Sequence, residues 1–290
     1  MKSKWNVFLV VIVVMLVANV KAEVLFSDSF NRADNVDIDA FSDGMGGSLG
    51  SLTYVEIGDD EIYPQQSGTG LAYPELTSVV DNQLYMAYGT NMTTMYLDHN
   101  FNDSEIIAAG GMKIGLTIVN GGNFTDNERF VGFGVGNTLT ECQNVWFDFN
   151  GNGFRGRIDA WTGFSDLWIG WSPNNGGKIQ VYKNGPTSEG GENYAIEGTP
   201  LTGNDRLELE LFFDSFADGS SVSANILWNG AVVGTESFGW DADGLLENYI
   251  GINGRQGNRF IVDDLTIETI PEPATLLLLG LGTLALRKRK

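Results

Sequence analysis

Arg206-Leu207-Glu208-Leu209-Glu210-Leu211 alternates charge and leucine without a break. A period of two belongs to an extended strand with one wet and one buried face, because successive side chains point to opposite sides. Further on, Ile226-Leu227-Trp228-Asn229-Gly230-Ala231-Val232-Val233 reads as a hairpin, with Asn-Gly supplying the φ > 0 residues of a tight turn. The same texture extends outward in both directions. Upstream strands are predicted at Val24–Phe30, Gln83–Tyr88, Met112–Val119, Arg129–Val135, Asn144–Phe149, Gly156–Trp161 and Lys178–Lys183. The later ones are Arg206–Phe213, Val222–Trp228, Ala231–Phe238, Glu247–Ile252 and Phe260–Thr269. Between Glu23 and Ile270 no stretch carries the 3.6-residue period of an amphipathic helix. The expectation is an all-β chain, a two-sheet antiparallel β-sandwich over residues 23–270. No Pro/Ser-rich linker divides that stretch, and two fused smaller β domains are the alternative.

Composition narrows the chemistry. The 290 residues carry a formal net charge of −20. Residues 1–22 hold three basic residues, and residues 271–290 hold four basic and one acidic. Between them, 10 Lys and Arg stand against 36 Asp and Glu, a net charge near −26. Such a surface repels nucleic acid, so no nucleic-acid partner is expected. It also repels anionic polymers unless divalent cations bridge the two. The single cysteine, Cys142, excludes an intrachain disulfide and a multi-thiolate metal site, and the single His99 excludes a His-rich zinc centre.

Both ends read as addresses. Lys2 and Lys4 precede an apolar run from Trp5 to Val20, and Val20-Lys21-Ala22 offers small residues before a cut after Ala22. That is the layout of a secretory signal peptide, residues 1–22. At the other end, Pro271-Glu272-Pro273 is followed by an apolar segment, residues 274–286, and by Arg287-Lys288-Arg289-Lys290. The prolines stop the preceding strand, the apolar helix enters the bilayer and the basic cluster stays on the cytoplasmic side. The segment is short for a span and holds two glycines, so the expectation is a short transmembrane helix that anchors transiently in the inner membrane. This tail resembles the PEP-CTERM sorting signal of Gram-negative bacteria. The resemblance implies recognition of Pro271, Glu272 and Pro273 by an exosortase, export through the secretion machinery, and display at the cell surface or in the extracellular matrix.

Leu25-Phe26-Ser27-Asp28-Ser29-Phe30-Asn31-Arg32 and Asn258-Arg259-Phe260-Ile261-Val262-Asp263-Asp264-Leu265-Thr266-Ile267 look like the first and last strands of the concanavalin A-like, or laminin G-like, jelly roll. In that fold the first and last strands lie together, and many members hold a structural Ca²⁺ among acidic side chains. Asp28 with Asp263 or Asp264 are the ligands this resemblance suggests. Asp148-Phe149-Asn150-Gly151-Asn152-Gly153 also resembles a calcium loop, with Asp148, Asn150 and Asn152 at alternate positions and Asp159 at the twelfth. Its other reading is a hairpin turn between two aromatic-rich strands.

Four tryptophans, Trp146, Trp161, Trp168 and Trp171, crowd one stretch. Exposed, the last three would offer flat apolar faces to sugar rings, a carbohydrate-binding platform; turned inward, they fill the core. Catalysis finds little support. The Glu-x-Asp-x-x-Glu strand motif of laminarinase-type sandwiches is absent, as is a Gly-x-Ser-x-Gly elbow. The leading expectation is a non-enzymatic exported protein that binds or organises extracellular polysaccharide. A glycan-active hydrolase or lyase, and a purely structural envelope protein, are the alternatives.

Overall fold

The leucines of the alternating stretch do point one way. The computed structural model of the chain describes residues 22–32, 38, 45–57, 77–88, 92–120, 130–143, 145–148, 153–156, 165–173, 176–183, 192–241, 246–255 and 258–270. In it Leu207, Leu209 and Leu211 are fully buried, while Glu208 and Glu210 share Lys113 at 2.9 and 3.7 Å on the opposite face.

Two antiparallel sheets stack on one core. The first takes, in spatial order, β16 (Ala231–Gly239), β15 (Ser221–Trp228), β14 (Asp205–Phe212), β7 (Gly111–Asn120), β18 (Asn258–Thr269), β1 (Val24–Asp28) and β2 (Met45–Gly46). β5 (Gln83–Tyr88) pairs with the early part of β18 and carries β4 (Thr77–Val80) outside it. The second sheet takes β13 (Glu192–Glu197), β12 (Lys178–Lys183), β11 (Leu167–Ser172), β8 (Phe130–Asn137), β17 (Tyr249–Arg255), β6 (Met92–Leu97) and β3 (Tyr54–Ile57). A separate hairpin pairs β9 (Val145–Asp148) with β10 (Gly153–Gly156). Two single-turn helices, α1 (Ser104–Ala108) and α2 (Leu139–Gln143), complete the described elements. Ile114, Leu116 and Ile118 of β7 share their core with Phe133 of β8 and Ile169 of β11. Each such side chain is worth about 1.5–3 kcal/mol on leaving water.

The Asn229-Gly230 turn stands as expected, with φ of +53° and +76° and Trp228 facing Ala231. The first and last strands pair as the resemblance implies, Val24 opposite Glu268. Glu23 N donates to Thr269 Oγ1 at 2.9 Å, Thr269 N donates to Glu23 O at 2.8 Å, and Ile270 N donates to Gly111 O at 3.1 Å. The chain therefore enters and leaves the sandwich at one corner.

Some strands differ from expectation. Of the strand expected over Gly156–Trp161 only Gly156 is described, as the end of β10, and residues 157–164 lie outside the described ones. β11 carries no alternation because all six of its residues are buried, as befits a strand covered on both faces. The proposed leader, but for Ala22 ahead of β1, and the whole tail, residues 271–290, lie outside the described residues. Among the described residues no helix is long and apolar enough to cross a membrane.

Candidate functional site

Asp28 closes β1 with its carboxylate shut off from water. Oδ2 accepts from Arg32 Nη2 at 2.8 Å and from the Tyr54 hydroxyl at 3.0 Å, and Oδ1 accepts from Phe30 N at 2.8 Å. Phe30 takes φ +49° to make the turn, and its ring stacks on Tyr54 and lies 5.3 Å from the Arg32 guanidinium carbon. Burial raises the Asp28 pKa above the ordinary value even though Arg32 pulls it down. In this geometry the cation beside the Asp28 carboxylate is Arg32, four residues on, rather than an acidic partner that would share a calcium ion. Asp263 lies near enough to be felt by Asp28. Its Oδ1, however, accepts from Asp264 N at 2.8 Å, while the Asp264 carbonyl accepts from Arg206 at 2.7 Å. Among the described residues no three His, Cys, Asp or Glu side chains are grouped to hold a metal. Asp148 faces Gly153 across the β9–β10 pairing, which supports the hairpin reading of that segment; Asn150 and Asn152 lie outside the described residues.

The tryptophan platform is corrected. Trp168 and Trp171 stand three residues apart on one strand, so they point to opposite faces of it. Trp171 enters the core and donates from Nε1 to Thr199 O at 2.8 Å. Trp168 lies on the outward face against Phe130 and Tyr182, ring centroids 5.0 and 5.7 Å away, and donates to Asn253 Oδ1 at 2.9 Å. Both indoles are buried, so the expected stacking surface is not formed by this pair. Trp161 lies outside the described residues.

Strand register gathers a group that the sequence alone does not show. One row across the outward face of the second sheet runs Gln180, Gly170, Gly132, Asn253, Thr94. The next runs Tyr182, Trp168, Gly134, Gly251, Tyr96. The glycines let the indole lie on the sheet, for a Cβ at Gly170 would come within 2.0 Å of the Trp168 ring. Beside it, Thr94 Oγ1, Gln180 Oε1 and Ser172 Oγ are buried with no hydrogen-bond partner. Each such atom costs about 1–3 kcal/mol. The signal in the sequence is Val131-Gly132-Phe133-Gly134-Val135-Gly136, glycine at every second position. Gly170→Ala is expected to cost about 1–3 kcal/mol by overpacking, with the near-ultraviolet circular dichroism of Trp168 altered; unchanged stability and spectrum would contradict this packing.

At the end of the same sheet, Asp166 is buried beneath the chain leading out of β16, and its Oδ2 accepts from Asp241 N at 3.0 Å. Burial pushes its pKa up to about 8, helped by the nearby charges of Asp241, Glu141 and Asp218. Burial also drives the Cys142 thiol far up, which removes it as a nucleophile. His99 Nε2 meets Asp103 Oδ2 at 2.9 Å.

Residues 269–290 match the PEP-CTERM protein-sorting motif. The motif implies an exported, exosortase-processed protein. No curated relative matches the chain. Among solved structures the chain is similar to one described under endo-acting O-glycanases expressed by prominent members of the human gut microbiota to initiate mucin breakdown. That pair shares 10% identity over 85% of this chain and 99% of the other, with a TM-score of 0.48. LamAcat from Zobellia galactanivorans gives 11% identity, 84% and 97% coverage, and a TM-score of 0.44. The Emp46p carbohydrate recognition domain gives 12%, 66% and 84%, and 0.42.

Proposed function

We propose that this is an exported, exosortase-processed protein of the cell surface or extracellular matrix that binds polysaccharide without cleaving it. The observation that carries the export half is the sorting motif at residues 269–290. On this reading the secretion machinery removes residues 1–22, residues 274–286 hold the protein transiently in the inner membrane, and exosortase then processes the tail.

The binding half rests on the outward face of the second sheet. Gln180, Ser172 and Thr94 leave polar atoms unpaired there, beside an indole and two further aromatic rings. A polyhydroxylated ligand that displaced what covers this face would supply donors and acceptors together, which is what a hydroxyl and an amide oxygen require; the Trp168 indole is itself buried and is not the stacking surface. Amide and hydroxyl groups hold sugar hydroxyls, but they do not transfer protons near neutral pH.

The test is a glycan array probed with the full-length exported protein, with and without calcium. Thr94→Val and Gln180→Leu are each expected to weaken binding by about tenfold, the worth of one hydrogen bond, while leaving thermal stability equal or higher. Binding untouched by both changes would remove this face from consideration. A second reading, glycan hydrolysis, would use Asp166 as general acid, its pKa raised to about 8 by burial, and would require the chain leading out of β16 to uncover it. New reducing ends in the array supernatant, lost on Asp166→Asn, would favour it.

A further inference from the structure

The sorting motif begins inside the fold. Its matched residues start at Thr269, the last residue of β18, and Pro271 follows Ile270 directly. β18 is not an edge there, because it lies between β7 and β1. Thr269 is buried and bracketed by Glu23, giving its N–H to Glu23 O and receiving the Glu23 N–H on Oγ1. Ile270 gives its N–H to Gly111 O. The first two residues of the motif therefore spend their backbone donors on the sandwich, and one peptide bond, about 3.8 Å between Cα atoms, separates Ile270 from Pro271.

We propose that Glu23, Gly111 and Thr269 are positioning residues for the sorting reaction, and that this clasp limits how fast the tail is cut. The inference rests on the sorting role proposed above. A peptidase that reads an extended segment hydrogen-bonds its backbone, as an added strand does. Here those groups are taken until the corner frays, so the cutting rate follows the small population in which it is open. Cutting breaks one peptide C–N bond beyond Ile270. The acyl group passes to water or an amine, and the tail leaves with a new amino terminus. Only the access to that bond is set by the clasp.

The experiment follows the full chain in its own exporting cells, reading by mass the ratio of tail-cut to uncut protein after a pulse of synthesis. Thr269→Val keeps the side-chain shape and loses the bond from the Glu23 nitrogen, which is the α-ammonium once residues 1–22 are removed; it is expected to speed processing roughly fivefold, the factor one such hydrogen bond is worth. A flexible Gly-Ser spacer of about six residues between Ile270 and Pro271 leaves the sheet intact and frees the tripeptide from it. It is expected to speed processing at least as much. Equal or slower cutting of the spacer variant overturns the clasp while sorting itself stands. Absence of any cut in the unaltered chain and in both variants overturns the sorting reading, and the clasp with it.

Discussion

Replacing Arg32 with methionine is expected to destabilise the chain by about 3–5 kcal/mol, because it strands a buried carboxylate. The side chains of Arg32 and Asp28 are 1% and 0% exposed, so water cannot take over the lost partner. For a chain of this size the loss corresponds to a fall in Tm on the order of ten degrees. The ion pair is not itself a large source of stability: burial raises the Asp28 pKa in spite of Arg32, so desolvation exceeds the attraction. That inequality makes the double variant the informative one. In Asp28→Asn with Arg32→Met, the amide oxygen still accepts from Phe30 N, the amide NH2 faces the Tyr54 hydroxyl oxygen as a donor, and no charge remains buried. Most of the loss is expected to return. Urea unfolding of the two single variants, the double variant and the unaltered chain measures the coupling. If Arg32→Met costs under about 1 kcal/mol, the carboxylate finds solvent or another partner and the buried pairing described here is wrong.

How far the sequence reaches depends on which faces are wet. β14 and the β15–β16 hairpin announce themselves because one side of each meets water, which forces polar and apolar residues to alternate. β11 gives no such sign. Water is excluded from both its faces, so Trp168 and Trp171 look like neighbours on a platform when the strand sends them apart. Asp28 illustrates a different limit. A carboxylate at a strand end does attract a cation, but choosing Arg32 over calcium needs the turn at Phe30 and the hydroxyl of Tyr54, which comes from the other sheet. The row of Gln180, Gly170, Gly132, Asn253 and Thr94 draws on five strands. Only register assembles it, and register between distant strands is not written in local pattern. Asp166 is hidden for the same reason, since its burial depends on chain that follows β16.

Asp166→Asn is expected to stabilise the chain at pH 8 and to flatten its loss of stability with rising pH. The carboxyl sits at about 8 when folded and near 3.8 when unfolded, so the folded state holds the proton more tightly. Its contribution is complete below about pH 4 and falls by about 1.4 kcal/mol per pH unit as pH climbs toward 8, then levels. Burial is the largest cause, and Asp241, Glu141 and Asp218 add repulsion from the elements packed around it. The substitution removes the ionisable group and leaves an oxygen to accept from Asp241 N, so the backbone contact persists. The gain is expected to grow by about 4 kcal/mol between pH 5 and pH 8 and to vanish only below about pH 4. Asp28 and Asp263 are also raised by burial and give slopes of the same sign, so some pH dependence survives in the variant. Urea midpoints at pH 5, 6.5 and 8 for both chains provide the measurement. Parallel curves would mean that Asp166 ionises freely in the folded state, and would also remove the general-acid argument on which the hydrolase reading depends.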